Sequence, residues 1–183
     1  APGDVKYIDM DGDDELTDKD KTFLGKDVPD ITYGFGITLE YKNFDFSMFG
    51  QGISGAKVYF IRDQASPFFD GAPPREYHKK RWTKENPDPN AAYPRLLPTD
   101  HVNFDYNTQN YSDFWLFNAD YFRIKTMTLG YTFPKNIINR WGISSLRVYI
   151  SSENPFTFRG DKRMKDFDPE TEGGRGNLMT GTQ

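Results

Sequence analysis

Residues 31–52, ITYGFGITLEYKNFDFSMFGQG, decide the fold. Every odd position from Ile31 to Tyr41 is apolar, and every even position is polar or glycine. A period of two is the pattern of a β-strand with one apolar face. A second alternating run begins at Phe44, directly after Lys42-Asn43, so the stretch predicts an antiparallel hairpin.

The length of the first run bears on its environment. A strand in a soluble domain has about 5–6 residues, whereas a tilted membrane-spanning strand needs about 9–11. The run from Ile31 to Tyr41 has the membrane length. The signal from each membrane strand is weak, so a long hairpin in a soluble β-sandwich stays open as the alternative at this point.

The composition further limits the classes of protein to which the chain can belong. The 183 residues suffice for one domain with a sizeable core, and 16% of them are aromatic although the mean hydropathy is −0.77. The sequence contains no apolar run near the ~20 residues of a membrane helix, so any bilayer contact is expected through strands. A net charge of −4 without a basic stripe argues against nucleic acid as a partner, and the absence of cysteine removes disulfides and thiolate sites.

An acidic motif occupies the leading segment, residues 1–30. Asp9, Asp11, Asp13 and Asp20 have the spacing of positions 1, 3, 5 and 12 of a calcium-binding loop. Glu15 would contribute its backbone carbonyl at position 7. Ca²⁺ takes six to eight oxygen ligands, and this spacing wraps them around one ion. The motif therefore predicts a structural Ca²⁺.

The motif departs from a full calcium loop at two positions. Position 6 is Asp14 where glycine is usual, and position 12 is the short Asp20 where a bidentate glutamate is usual. The alternative is a solvated acidic turn before a short helix, with Thr17 and Asp20 as its capping box. The two interpretations are compatible.

Residues 54–118 form a long connection rich in proline, without a sustained period of two or 3.6. A connection of this length is usually functional. Its large aromatic residues are candidates for contact with a substrate or partner, although they would equally serve to pin the segment to itself. These candidates are Trp82, Tyr93, Phe114 and Trp115.

A second hairpin is predicted within residues 119–153. Its first strand, 121–133, changes phase, because Phe122 and Ile124 are apolar in the early half whereas Met127 and Leu129 are apolar in the later half. Such a slip predicts a β-bulge or an early half outside the bilayer. The next strand is predicted at 144–152, and residues 154–183 are glycine-rich and charged.

Short and long connections alternate along the chain. The turns after Tyr41 and Phe133 are short, whereas segments 1–30, 54–118 and 154–183 are long. Outer-membrane barrels have short periplasmic turns and long extracellular loops. The alternation favours an all-β transmembrane barrel in which 31–53 and 119–153 are membrane hairpins and the three long segments are extracellular loops.

This topology predicts which face of each strand meets lipid. The side chains expected to face the lumen are Glu40, Asp45, Arg147 and Tyr149. The side chains expected to face lipid are Ile31, Tyr33, Phe35, Ile37, Leu39, Phe44, Phe46, Met48, Leu129, Tyr131, Leu146, Val148 and Ile150.

The residues that catalysis would need are sparse. Both histidines, His78 and His101, lie in the long connection, and no nucleophile-elbow motif is present. Residues 50–55 match the dinucleotide glycine pattern as a string, but no helix pattern opens after them. The sequence therefore does not indicate an enzyme.

Ordered sequence blocks over nearly the whole chain resemble the C-terminal quarter of SusC/RagA-family TonB-dependent outer-membrane transporters. Each block is weak alone, whereas their joint order is specific. The main blocks are Gly3-Asp-Val-Lys-Tyr7, the acidic loop 9–20, Tyr33-Gly-Phe-Gly36, Leu39-Glu-Tyr-Lys-Asn-Phe-Asp45, Phe49-Gly-Gln-Gly52, Tyr93-Pro-Arg95, Ser112-Asp-Phe-Trp115, Tyr121-Phe-Arg-Ile-Lys125, Thr128-Leu-Gly-Tyr131 and Leu146-Arg-Val-Tyr149.

The resemblance implies a 22-stranded barrel with an N-terminal plug in the outer membrane. It further implies import of an oligosaccharide or peptide substrate, with a SusD-like surface lipoprotein as partner and energy from TonB. The plug, the TonB box and a closing strand are expected outside this sequence. The alternative is a secreted calcium-binding β-module that binds carbohydrate, in which a second sheet would cover the apolar positions of 31–41.

Overall fold

The structure is a computed structural model that describes residues 1–60, 65–68, 71, 73–74 and 76–170. The chain divides into two compact units. The sheet unit comprises Pro29–Gly55 and Asp120–Gly160. The loop unit comprises Ala1–Val28, Ala56–Ala119 and Asp161–Gln183.

The sheet unit is built on a four-stranded antiparallel sheet in the order β1-β2-β5-β6. The strands are β1 (Ile31–Tyr41), β2 (Phe44–Ser54), β5 (Tyr121–Thr132) and β6 (Arg147–Arg159). A two-residue turn joins β1 to β2, and its Lys42 has φ 56°, the positive φ that such tight hairpin turns require. The predicted hairpin is confirmed.

The register of the sheet places most of its apolar residues on one face. Ile37 lies opposite Met48, which lies opposite Met127, and the same face continues along every strand. Residues directly opposite each other point to the same side of a sheet. The sheet therefore has one continuous apolar face and one mostly polar face.

The phase slip predicted in β5 is a bulge. Phe49 pairs with Thr126 whereas Gly50 pairs with Ile124, so Lys125 is the extra residue relative to β2. The bulge brings Phe122 and Ile124 onto the same face as Met127, because one extra residue reverses the alternation.

The last strand is longer than predicted. β6 begins at Arg147 and continues to Arg159, whereas the sequence placed its end at 152 and made 154 onwards a loop. Asn154 has φ 50°, and it lies with Pro155 in a second bulge between the pairs Thr126–Glu153 and Ile124–Phe156. Proline is tolerated at bulges and on edge strands, so Asn154-Pro155 interrupts the pattern without ending the strand.

The apolar positions of β1 are uncovered. All residues of this strand are exposed, and the exposed fraction is 60% for Ile31 and 40% for Ile37. The carbohydrate-binding β-module needed these positions to pack against a second sheet. The exposure of β1 therefore argues against the carbohydrate-binding β-module.

The loop unit has its own core, and the long connection 54–118 contributes two short strands and a short helix to this unit. β3 (Lys57–Tyr59) pairs with β4 (Leu116–Asn118), and α1 spans Phe104–Thr108. Segments distant in sequence supply the core, because alternation within three-residue strands is too short to recognise. The core residues are Val58, Phe60, Ala65, Tyr93, Trp115, Phe117, Met164 and Phe167.

The helices are short in both units. In the sheet unit, α2 (Lys135–Ile138) is followed by a 3-10 turn at Asn139–Trp141. The loop unit has 3-10 turns at Asp18–Asp20, Glu76–Lys80, Asp113–Trp115 and Lys162–Asp166. Within the described part of the chain, no helix has the length and apolar character needed to cross a membrane.

Candidate functional site

Aromatic residues concentrate at both ends of the apolar face of the sheet. Near one end, the Phe122 ring stacks on Phe35 and Tyr33, with centroid distances of 5.4 and 6.3 Å, and lies 6.1 Å from Phe158. At the turn end, Phe44 and Tyr131 lie 4.7 Å apart. The residues between these two groups are mainly aliphatic or methionine. Aromatic girdles on either side of an aliphatic band are typical of a face that spans a bilayer.

Two glycines of β2 make room for the first aromatic group. A Cβ on Gly50 would lie 2.7 Å from Cζ of Phe122, and a Cβ on Gly52 would lie 2.7 Å from the Tyr33 hydroxyl. The ring of Phe122 therefore lies directly over the β2 backbone. This is the close approach that glycine permits within a strand.

The polar face carries an ion pair that bridges a strand. The guanidinium of Arg147 in β6 donates from Nε to Asp45 of β2 at 3.0 Å, and its Cζ lies 5.0 Å from the centroid of the Tyr149 ring. The bridge crosses Gly130 of β5, where a Cβ would meet both partners at 2.5 Å. Glu40, Asp45 and Tyr149 thus share the face predicted to line a lumen, and their exposure to a lumen stays a prediction.

The acidic loop brings three of its five predicted ligand residues together. Oxygens of Asp9, Asp11 and Asp13 lie within 4.8 Å of one another. Asp14 has φ 63°, the left-handed conformation expected at position 6. Asp9 also accepts hydrogen bonds from the backbone N–H groups of Gly12 at 2.6 Å and Asp14 at 2.8 Å, which fixes the turn.

Asp20 has a different place from the one predicted. Its two carboxylate oxygens accept from the backbone N–H groups of Met10 and Thr17, each at 2.7 Å, and these bonds lower its pKa. Thr17 and Asp20 form the capping box of the 3-10 turn. Asp20 therefore closes the loop and lies outside the group of three converging carboxylates. Glu15 donates its backbone N–H to Asp13 at 2.9 Å.

An internal cation approaches the three carboxylates. Nζ of Lys19 lies 3.6 Å from Asp11 and 3.6 Å from Asp13. Because this ammonium group is 71% exposed, its interaction with either carboxylate is weak, and a multivalent ion would compete with it effectively.

Three of the four predicted aromatic contact residues pack together, because Tyr93 and Phe114 both contact Trp115. Trp115 and Tyr93 are 0% and 3% exposed in the core of the loop unit, so neither offers a ring face to a ligand. Their burial favours the alternative, in which they pin the segment to itself. Phe114 packs edge-on against Trp115 at 5.0 Å, and Trp82 covers Gly3, where a Cβ would lie 2.5 Å from the indole.

Sequence reasoning missed a polar network around Asp4. This carboxylate accepts from Nε of Arg95 at 2.6 Å, from Asn107 at 2.8 Å and from Asn103 at 3.0 Å. Burial alone would raise the pKa of Asp4, but these bonds outweigh it and hold the pKa well below 3.8. The partners lie about a hundred positions away, and no local pattern reveals such a network.

Sequence comparison identifies relatives of this segment. The TonB-dependent receptor P26 of Formosa agariphila is 32% identical over 186 residues, which cover 98% of this chain and 18% of the receptor. The TonB-dependent receptor SusC of Bacteroides thetaiotaomicron is 26% identical over 175 residues, covering 92% of this chain and 15% of the receptor. The chain thus spans less than a fifth of these relatives. No protein-family model matches it.

Comparison with solved structures finds chains that contain a similar fold. The RagAB peptide importer in its open–open state matches with a TM-score of 0.55 and 20% identity, over 81% of this chain and 16% of the other. A second structure of the RagAB peptide transporter matches with a TM-score of 0.57 and 18% identity, over 80% of this chain and 16% of the other. At this identity the likeness concerns the fold alone.

Proposed function

Because the chain is SusC/RagA-like, similar over nearly its whole length to a segment of TonB-dependent receptors, we propose that it forms part of a nutrient importer in the outer membrane. In this proposal the sheet unit supplies four neighbouring strands of a closed 22-stranded barrel. The segment lies in the C-terminal part of the transporter and serves transport, not catalysis.

The observation that carries the proposal is the amphipathic sheet. β1 and β5 have 11 and 12 residues, enough to cross a bilayer when tilted. Most exposed apolar side chains of the sheet lie on one face, whereas the Asp45–Arg147 pair lies on the other, together with Phe49 and Tyr149. A bilayer on the first side and a water-filled or plugged lumen on the second would satisfy both faces.

The strand ends support one topology. Ile31 pairs with Ser54, and Tyr121 pairs with both Ile53 and Arg159. These strand ends therefore lie side by side at the same end of the sheet. They carry the long connections, whereas the opposite ends carry the short turns. The long connections are therefore proposed to be extracellular, as in other outer-membrane barrels.

The proposed partners follow from the resemblance. A SusD-like surface lipoprotein would meet the extracellular segments, and TonB would act through parts of the transporter outside this sequence. The substrate is an oligosaccharide or a peptide. Growth of a deletion strain on oligosaccharides and on peptides as sole carbon sources distinguishes the two, and complementation by the full gene should require TonB.

Cysteine labelling in intact cells tests the membrane placement. Ile37 and Thr38 are neighbours on opposite faces of β1, so they form a matched pair. In the full transporter, Thr38→Cys should react with a water-soluble maleimide and Ile37→Cys should not. Equal reaction at both positions would contradict the barrel proposal.

We also propose that the acidic loop holds a structural Ca²⁺. The support is the calcium-type spacing together with the convergence of Asp9, Asp11 and Asp13. An extracellular site with a dissociation constant of about 10⁻⁴–10⁻³ M would be filled where calcium is plentiful. The ion would brace the loop and relieve the repulsion between the carboxylates.

Hydrogen exchange of the full transporter measures this site. Millimolar Ca²⁺ should slow amide exchange in residues 9–20, and Asp11→Asn should abolish that effect. Asp27→Asn is the matched control, because it removes an exposed carboxylate from the same segment outside the motif. Amide exchange in residues 9–20 that does not depend on Ca²⁺ in the unmodified protein would contradict the proposed site.

A further inference from the structure

Two pairs of tyrosines form a surface on the loop unit that the transport proposal does not use. Tyr7 packs edge-on against Tyr106 with a centroid distance of 6.1 Å, and Tyr59 packs edge-on against Tyr111 at 4.9 Å. The inner members, Tyr7 and Tyr59, are half-buried. The outer members are exposed, Tyr106 by 47% and Tyr111 by 66%. We call these four residues the tyrosine surface.

Buried neighbours fix the Tyr7–Tyr106 pair of the tyrosine surface. Tyr106 lies in α1, which Phe104, Asn107 and Thr108 anchor in the interior. The indole N–H of Trp115 donates to the Asn107 carbonyl at 2.8 Å, and the Tyr7 hydroxyl donates to the Tyr106 carbonyl at 2.7 Å. A ligand that binds here would order few additional groups, which keeps the entropic cost of binding low.

A carboxylate gives the tyrosine surface its charge. Asp113 is exposed and acts electrostatically on both inner tyrosines, so it lies within reach of the two pairs. Burial raises the pKa of Tyr7 and of Tyr59, and the negative charge of Asp113 raises each further. The phenols therefore stay neutral at physiological pH, and the surface carries only negative charge.

We propose that the tyrosine surface, with Asp113, binds the cationic side chain of a peptide ligand, a lysine or an arginine. Aromatic ring faces attract cations, and a neighbouring carboxylate adds a charge-assisted hydrogen bond. The inference rests on the proposed import function, because it assigns the substrate class of that importer. The charge of Asp113 favours a cationic side chain over a neutral sugar, because only the cation gains a direct electrostatic attraction in addition to a hydrogen bond.

Binding to the purified full transporter tests the assignment. The probe is the pentapeptide Ala-Lys-Ala-Lys-Ala, compared with its glutamine counterpart Ala-Gln-Ala-Gln-Ala by titration calorimetry at low salt. The lysine peptide should bind more tightly. Tyr111→Ala and Asp113→Asn should each weaken its binding about threefold to tenfold, the range expected of one cation–π or ionic contact.

Phe23→Ala is the matched control, because it removes an aromatic ring of the same unit that is 82% exposed, and it should leave the affinity unchanged. Equal affinities for the two peptides, no measurable binding of the lysine peptide, or unchanged affinity in both variants would overturn the proposal. Binding of maltohexaose that is lost in Tyr111→Ala but kept in Asp113→Asn would reassign the surface to saccharides. Cysteine labelling of β1 reports independently on the importer proposal, so the two failures are distinguishable.

Discussion

At the scale of single residues, Asp4 ties together segments that lie far apart in the chain. Its carboxylate is 9% exposed and accepts hydrogen bonds from Arg95, Asn103 and Asn107. A buried charge is stable only when it is paired and hydrogen-bonded, and this one meets both conditions. The network therefore joins the start of the loop unit to its central segment.

Asp4→Asn should destabilise the loop unit by about 1.5–3 kcal/mol, because the hydrogen bonds to a charged acceptor weaken and Arg95 loses its partner. Hydrogen exchange at Val5 and Asn107 in the full transporter measures the loss. Asp18→Asn, whose carboxylate is 91% exposed, is the control and should change little.

The pH dependence of this difference has a definite sign. The pKa of Asp4 is lowered from 3.8 on folding, so its contribution is fully present above that pH and is lost as the pH falls toward the lower, folded-state value. The difference between the unmodified protein and Asp4→Asn should stay constant above pH 3.8 and shrink below it. A difference that shrinks between neutral pH and that value would contradict the assignment.

Lys19 offers a prediction about the proposed calcium site. Its ammonium group lies 3.6 Å from both Asp11 and Asp13, where it competes with a divalent ion. Lys19→Gln should lower the Ca²⁺ concentration at the midpoint of loop protection about twofold to fivefold, the effect of one exposed charge. Lys21→Gln is the control because Lys21 pairs with Asp18 outside the converging carboxylates. A midpoint that rises in Lys19→Gln would show that Lys19 assists the site.

At the scale of elements, the sequence predicted strands whose alternation is long and missed those whose alternation is short or interrupted. β1 and β2 follow from their period of two, and the phase slip in β5 revealed its bulge. β6 was predicted to end early because Asn154-Pro155 reads as a break. β3 and β4, with three residues each, are too short to show a period.

The candidate sites also divide into those that local sequence patterns predicted and those that they did not. Local spacing predicted the convergence of Asp9, Asp11 and Asp13, because those residues lie within one turn. Composition could not distinguish buried from exposed aromatic residues, so the buried Tyr93 and Trp115 were placed among the contact residues and the exposed Tyr106 and Tyr111 were not. Burial depends on contacts between distant segments, which single-sequence patterns do not contain.

Gly52→Ala should impair assembly of the proposed barrel. A Cβ at Gly52 would collide with the backbone carbonyl of Tyr121, which cannot rotate away, and the expected cost is about 1–3 kcal/mol. Gly36→Ala is the matched control in the same hairpin, because its nearest neighbour would lie 3.8 Å away. The heat-dependent shift in electrophoretic mobility of the full transporter measures folding. Equal folded fractions for the two variants would contradict the packing described for β2.

At the scale of the whole molecule, the chain has two different means of stabilisation. The loop unit buries a conventional core around Trp115 and Phe117. The sheet unit exposes its apolar face and is held together by strand pairing. Burial of that face would stabilise the unit only where the face is removed from water. The fold of the long connections therefore need not depend on a bilayer, whereas the proposed membrane placement makes the fold of the hairpins depend on one.

Trp115→Ala should separate these two contributions. The indole is 0% exposed in the core of the loop unit, and its removal should cost about 3–5 kcal/mol there. We expect faster hydrogen exchange in residues 56–60 and 93–119 of the full transporter, with an unchanged heat-dependent mobility shift of the barrel. Phe23→Ala, which removes a ring that is 82% exposed, should change neither measurement. Loss of the mobility shift in Trp115→Ala would mean that the barrel requires the folded loop unit, and the two stabilities would then be a single cooperative one.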